Sequence, residues 1–138
     1  MAVYKVRAKY VEKFRSVVDN TRGHSVVCDL PAKFGGNDTG PTALELAVMA
    51  LADCILTILA LVSSKMKIEI KDIEVTVEAV KPDTAKTITE FNVNVKVVSP
   101  APKEEVEKAI KRTWEICPVG LLLEKAAKIN KTSEIISA

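Results

Sequence analysis

The chain has few of the residues that build a metal centre or a nucleic-acid surface. It contains one histidine, His24, and its three cysteines do not follow the spacing of zinc ligands, which argues against a cysteine–histidine metal site. The net charge is only +2, and lysines alternate with glutamates instead of clustering. This pattern argues against a nucleic-acid partner. We expect no metal and no bound cofactor.

The sequence also shows no apolar leader. The first residues, Met1–Arg7, alternate between apolar and polar side chains, so we expect no signal peptide and a cytoplasmic location. In a reducing compartment, paired thiols are more often catalytic or redox-sensing than structural. This makes Cys54 and Cys117 of interest. The length of 138 residues predicts a single domain spanning 1–138.

One long apolar run stands out between Ala43 and Val62. It is about long enough to cross a bilayer, but Glu45 and Asp53 interrupt it and no basic flank precedes it. We therefore expect no membrane span. A helix that is apolar on nearly every face is typical of the centre of a fold. Thr42, three residues before Glu45, predicts a capping box at its start.

The remaining patterns predict an α+β fold. Alternating residues indicate strands before the helix and a hairpin after it, and prolines mark the starts of two further helices. A last short strand closes the order. The predicted strands are Val3–Tyr10, Phe14–Asp19, Ser25–Leu30, Asp72–Val80, Ile88–Ser99 and Ser133–Ser137; the predicted helices run from Thr42 to Lys65–Lys67, from Pro102, and from Pro118 to about Ala127.

The segment Gly40-Pro41-Thr42-x-x-Glu45-Leu46, the apolar helix with Cys54, and Cys117-Pro118-Val119 together resemble the OsmC/Ohr family. These names stand for osmotically inducible protein C and organic hydroperoxide resistance protein. The Gly23-His24 step is most similar to a less characterised OsmC-like branch. The resemblance implies antiparallel sheets wrapped around a long central apolar helix, in an intertwined homodimer.

The resemblance also implies a function. It implies thiol-dependent reduction of organic hydroperoxides, with Cys54 as the peroxidatic cysteine and Cys117 as the resolving one. A small dithiol or lipoyl-type reductant restores the pair. Because a thiol in apolar surroundings needs a cation to ionise, the resemblance also implies an arginine near Cys54. We expect Arg22 in this role rather than Arg15.

One position departs from the family pattern. The family's catalytic glutamate stands ten residues before the peroxidatic cysteine, where this chain has Leu44. Glu45 stands nine residues before Cys54, roughly on the opposite face of the helix, and is predicted to be a cap. A second function therefore stays open: a non-catalytic OsmC-like module that binds a small apolar or electrophilic ligand at the cysteine pocket.

Several further residues have structural expectations. Cys28 is predicted to pack inside a strand, His24 to lie in a turn, and Trp114 to belong to the core. Asp53 needs water or a cation, and we expect it to pair with Arg22 across a subunit interface. Because the long helix is apolar around its circumference, a second copy of the chain is expected to cover it.

Overall fold

The computed structural model describes all 138 residues, which form two compact units, Met1–Ala47 and Val48–Ala138. Six strands and three helices confirm the predicted α+β class, while the single domain over 1–138 stays a prediction. In chain order the elements are β1 (Arg7–Glu12), β2 (Arg15–Asp19), β3 (Ser25–Cys28), a short 3₁₀ turn (Ala32–Phe34), α1 (Ala43–Lys65), β4 (Asp72–Val80), β5 (Glu90–Ser99), α2 (Lys103–Ile116), α3 (Pro118–Leu123) and β6 (Lys128–Ser137).

The first unit contains a three-stranded antiparallel sheet in the order β1-β2-β3. Its first strand begins at Arg7, four residues later than predicted. The reason is that Arg7 pairs with Asp19, the last residue of β2, so the preceding residues have no strand opposite them. Lys13, between β1 and β2, adopts a left-handed conformation with a φ of 47° in the tight turn.

The loop that leads to α1 is organised around the buried carboxylate of Asp29. This carboxylate accepts hydrogen bonds from the Thr39 hydroxyl at 2.7 Å and from the backbone N–H groups of Leu30, Asn37 and Thr39. These contacts hold the pKa of Asp29 down at about 2, with the Thr39 hydroxyl as the largest cause. The segment before α1 is therefore fixed by one side chain.

The helix α1 begins with the predicted capping box. The Thr42 hydroxyl accepts a hydrogen bond from the Glu45 N–H at 3.1 Å, and the Glu45 carboxylate accepts one from the Thr42 N–H at 3.0 Å. By length and composition α1 is apolar enough to cross a membrane, a test that core helices of soluble proteins also pass. We keep the prediction that it does not span one.

The second unit contains the other sheet, in the order β4-β5-β6. The hairpin β4–β5 is antiparallel, as predicted, and the structure shows that its register places Val75 opposite Val95. The strand β6 departs from the predicted antiparallel sheets, since it runs parallel to β5. The chain passes from β5 to β6 through α2 and α3, a crossover connection of the kind that parallel strands need. It starts at Lys128, five residues earlier than predicted, and α3 correspondingly ends at Leu123.

The core of this unit lies between β5 and the helices. Alternate residues of β5 are buried, as the period-two pattern predicts, and they join buried residues from α1 and α2 in one cluster. Trp114 packs against this cluster, which confirms its core assignment, and the Lys131 ammonium lies 5.0 Å from its ring centre. The buried apolar residues of the cluster include Phe91, Val93, Val95, Val97, Leu51, Ile55, Leu59, Val106 and Ile110.

Candidate functional site

The site is built around Cys54, which lies in the middle of α1. The side chain is half-buried and packs against the core cluster, beside the fully buried Leu51 and Ile55 of the same helix. Its position eleven residues after Ala43, the first helical residue, is far from the helix N-terminus. The helix dipole therefore gives little help to a thiolate at this position, because its effect falls off within the first turn.

The second cysteine, Cys117, lies at the junction of α2 and α3. Its backbone N–H donates to the Thr113 carbonyl at 2.9 Å and ends α2, while its carbonyl accepts from the Leu121 N–H at 2.9 Å and begins α3. Pro118 occupies the first position of α3, where a backbone N–H would have no hydrogen-bond partner within the helix. Only 1% of Cys117 is exposed.

These two cysteines meet although they are 63 positions apart in the chain. The Cys117 S–H donates to the Cys54 sulfur across an Sγ–Sγ distance of 3.1 Å, and both thiols are free. Reaching a disulfide bond length of about 2.05 Å needs only a small movement of the two side chains. The two cysteines that the family resemblance pairs are therefore in contact, while their peroxidatic and resolving roles stay a prediction.

The surroundings make the two sulfurs unequal. Burial first, and then the hydrogen bond to Cys54, raise the pKa of the Cys117 thiol to about 11, although the N–H groups of Gly120 and Val119 oppose the shift. At neutral pH Cys117 is therefore a protonated donor. Cys54, the more exposed sulfur, is the acceptor and is the one open to an approaching reactant.

Gly120 lies against this pair and was missed by the sequence analysis. A methyl group added at Gly120 would lie 3.4 Å from the Cys117 sulfur and 4.0 Å from a Leu51 methyl carbon. The glycine thus leaves a small amount of space beside the thiols. Its place three residues after a helix-capping cysteine is the signal that could have identified it.

The predicted arginine, Arg22, lies exposed in the turn between β2 and β3. Its backbone N–H donates to the Asn20 side chain at 2.9 Å, and its guanidinium makes no ion pair within the chain. The same turn holds His24, whose ring lies 2.9 Å from the Asn20 amide, which confirms it as a turn residue. Arg22 belongs to the first unit and the cysteines to the second, so its role at Cys54 stays a prediction.

The alternative arginine, Arg15, is already engaged by its neighbours. Its guanidinium donates to the Thr39 hydroxyl at 3.0 Å and to Glu12 at 3.3 Å, and it lies 3.9 Å from the Asp29 carboxylate. These contacts tie Arg15 to the loop before α1. They favour Arg22 over Arg15 as the free cation.

Other predicted positions have structural explanations. The capping box accounts for Glu45, and hydrogen bonds from the Thr42 N–H and hydroxyl lower the pKa of its carboxyl group. Leu44, at the family's glutamate position, is 42% exposed.

Cys28 is buried on β3, which confirms the prediction that it is a packing residue. Asp53 is exposed and makes no ion pair within the chain, so its pairing with Arg22 stays a prediction.

A cavity of about 380 Å³ lies between the last part of α1 and the end of α2. Its walls are mostly apolar and come from the last part of α1 and the end of α2. Ile58 is one turn after Cys54, and Ile116 directly precedes Cys117, but neither cysteine lines the cavity. The lining residues are Ile58, Leu61, Val62, Lys65, Met66, Arg112 and Ile116.

Comparison with known proteins places the chain in a family. The profile described as OsmC-like protein matches residues 35–131. Protein YhfA of Escherichia coli K12 is 27% identical over 139 aligned positions, covering 97% of this chain and 99% of that protein.

Solved structures show the same fold. An OsmC-like protein from Mycoplasma pneumoniae superposes with a TM-score of 0.86 at 19% identity, covering 98% of both chains. An organic hydroperoxide resistance protein OsmC from Legionella pneumophila superposes with a TM-score of 0.70 at 17% identity, covering 97% of this chain and 98% of that one. Together with the family profile over most of its length, this shows that the chain belongs to the family of OsmC-like proteins.

Proposed function

We propose that this protein is a thiol peroxidase that reduces organic hydroperoxides. The single observation that supports this most is the 3.1 Å contact between the Cys54 and Cys117 sulfurs, one half-exposed and one buried. A solved relative of the same fold is named an organic hydroperoxide resistance protein. The proposal extends that activity to this chain.

The first step uses the more exposed sulfur. The Cys54 thiolate attacks the distal oxygen of the hydroperoxide, the O–O bond breaks, and the alcohol leaves after taking up a proton. Cys54 becomes a sulfenic acid, so the sulfur is oxidised by two electrons and the peroxide is reduced by two. The Cys117 S–H donates to the Cys54 sulfur before attack, so the two sulfurs are already next to each other when the first step takes place.

The second step uses the buried sulfur. Burial is the largest cause of the raised pKa of Cys117, and the hydrogen bond and charge of Cys54 add to it. The two contributions from Cys54 change once that sulfur carries an oxygen. The N–H groups of Gly120 and Val119 then favour the thiolate. Cys117 attacks the Cys54 sulfur, an S–S bond forms, and water leaves. A small dithiol of the lipoyl type reduces the disulfide and is itself oxidised.

A second copy of the chain belongs to this proposal. Met49, which is 53% exposed, and Leu56 leave an apolar stripe of α1 uncovered. Stripes of this kind are typical of subunit contacts. We propose a homodimer in which Arg22, from the same or the partner chain, supplies the cation for Cys54. A folded monomer at micromolar concentration in light scattering would contradict the dimer.

The test is peroxide consumption with cumene hydroperoxide and a dihydrolipoyl reductant. We expect turnover by the wild type and none by Cys54→Ser, whereas Cys117→Ser should form a sulfenic acid that accumulates and can be trapped. Cys28→Ser is the matched control because Cys28 is a buried packing residue, and it should keep activity. Peptide mapping should find the Cys54–Cys117 disulfide after peroxide. No turnover and no disulfide would refute the proposal.

The alternative is a non-catalytic module that binds a small apolar or electrophilic ligand at the cysteine pocket. Leu44 at the family's glutamate position is the observation that favours it. The rate of iodoacetamide labelling at Cys54 separates the two functions. Labelling that is already fast at pH 7 supports the peroxidase. Slow labelling, together with thermal protection by an apolar ligand, supports the module.

A further inference from the structure

Gly120 lies beside the buried sulfur of the pair, and its missing side chain leaves room there. A methyl group at Gly120 would be 3.4 Å from the Cys117 Sγ, 3.6 Å from the Cys117 Cβ and 4.0 Å from the Leu51 Cδ1. These are ordinary van der Waals distances, so a group of this size fits without moving its neighbours. The protein therefore contains a gap of about one methyl group between Cys117 and Leu51.

This gap lies beside Cys117 and not between the two sulfurs. The Cys54 and Cys117 sulfurs are 3.1 Å apart. No atom of Cys54 is among the three nearest neighbours of the methyl position, and the third of these is already 4.0 Å away. A side chain at position 120 would thus leave the contact between the sulfurs open. It would fill space into which the Cys117 side chain can turn away from Cys54.

Of the two cysteines, Cys117 has the greater freedom to move. Cys54 lies in the middle of a helix of 23 residues, beside the fully buried Leu51 and Ile55. Cys117 has an extended backbone, with φ −66° and ψ 109°, and the six-residue helix that follows it has no buried residue. A cysteine side chain has up to three staggered positions about its first torsion, and a free thiol uses those for which there is space.

We infer that Gly120 is a positioning residue for the cysteine pair: its gap gives the Cys117 thiol a second position, away from Cys54, and so makes the Cys54–Cys117 disulfide easier to reduce. The inference rests on the proposed function, because it concerns the disulfide that the peroxidase forms. In the reduction a dithiol supplies two electrons and two protons, the S–S bond of the protein breaks, and the reductant closes its own disulfide. A Cys117 thiol that has turned into the gap no longer competes with the second thiol of the reductant.

Filling the gap should therefore favour the disulfide. The thiol form loses its alternative positions, whereas the disulfide loses nothing, because it holds the Cys117 sulfur at Cys54 in any case. Limiting a side chain with up to three staggered positions to one of them shifts the equilibrium by about threefold. The same confinement should slow reduction by a dithiol, because Cys117 then attacks Cys54 again more often.

The test is a redox titration in mixtures of reduced and oxidised dithiothreitol, with the disulfide measured by alkylation and peptide mapping. We expect Gly120→Ala and Gly120→Ser, whose side chains both fill the gap, to need about a threefold higher ratio of reduced to oxidised dithiothreitol for half reduction. Leu122→Ala is the matched control, because this residue of α3 is 66% exposed, and it should titrate as the wild type. An unchanged or lower ratio in both Gly120 variants, or the same shift in Leu122→Ala, would overturn the inference.

This titration uses no peroxide, which separates the inference from the peroxidase. A threefold shift in a protein that consumes no hydroperoxide would refute the proposed function and retain the role of Gly120. Turnover of hydroperoxide with the same titration for the wild type and both Gly120 variants would retain the function and overturn the inference. A wild type that forms no Cys54–Cys117 disulfide at any ratio would overturn both.

Discussion

Gly120 lies so close to Cys117 that an added methyl group would be 3.4 Å from the cysteine sulfur, in ordinary van der Waals contact. At Gly40, by contrast, an added methyl would be 2.0 Å from the Val27 carbonyl oxygen, a distance that no real contact adopts. The two glycines therefore have different roles. One leaves space beside a thiol, and the other permits two backbone segments to touch.

These glycines give the first prediction. Gly120→Ala should leave the free energy of unfolding unchanged or raise it by up to about 1 kcal/mol, because alanine is the better residue inside α3. Gly40→Ala should lower it by about 1–3 kcal/mol or more, because the loop backbone must move. Urea unfolding of the two variants checks this. A Gly120→Ala protein as unstable as Gly40→Ala would contradict the assigned roles.

The second prediction concerns alkaline pH. Because the pKa of Cys117 is raised from 9.0 to about 11, the folded state resists its ionisation, and the unfolded state ionises first as pH rises. The stability this provides is complete below pH 9 and is lost as pH rises through 11, by up to about 3 kcal/mol. Cys117→Ala should lack this loss. The measurement is unfolding free energy between pH 8 and 11, taken as the difference between the two proteins because lysines and tyrosines titrate in both.

The third prediction separates a cap from a catalyst at Glu45. Thr42→Ala should lower the unfolding free energy by about 1 kcal/mol, the usual cost of a lost N-cap. Glu45→Gln should cost less, because glutamine can still accept the hydrogen bond from the Thr42 N–H. In both variants the rate of peroxide reaction at Cys54, measured well below the melting temperature, should match the wild type. A large fall in that rate for Glu45→Gln alone would assign Glu45 a chemical role.

The fourth prediction concerns acid. The pKa of Asp29 is lowered from 3.8 to about 2, first by the Thr39 hydroxyl and then by backbone N–H groups. The stability that this carboxylate provides is present above pH 4 and is lost as pH falls through 2. Asp29→Asn should melt at a lower temperature at pH 7 and show a smaller further fall between pH 4 and 2. Asp38→Asn, an exposed loop carboxylate in the same segment, is the control and should behave as the wild type.

The sequence predicted the parts of the fold that depend on local pattern. The alternation in β5 and the cap at Thr42 specify burial and a helix start, and both are observed. The direction of β6 was not predictable in this way, because its parallel pairing depends on how the crossover packs and not on residues of the strand. Similarly, the thiol pair follows from the family resemblance, whereas the apolar cavity between α1 and α2 depends on how the two helices pack, which no local pattern contains.

Because the two sulfurs differ in exposure, a disulfide between Cys54 and Cys117 would be attacked by a reductant at one particular sulfur. An external thiol can reach only the Cys54 sulfur, because Cys117 is buried, so the mixed disulfide must form on Cys54. The released Cys117 then lies within reach of that same bond and can expel the incoming thiol again. Cys117 would therefore displace a reductant that has only one thiol. A reductant with two thiols would instead use its second thiol to form a disulfide within its own molecule, which releases Cys54. In the proposed peroxidase, burial of Cys117 is therefore expected to make a dithiol a better electron donor than a monothiol.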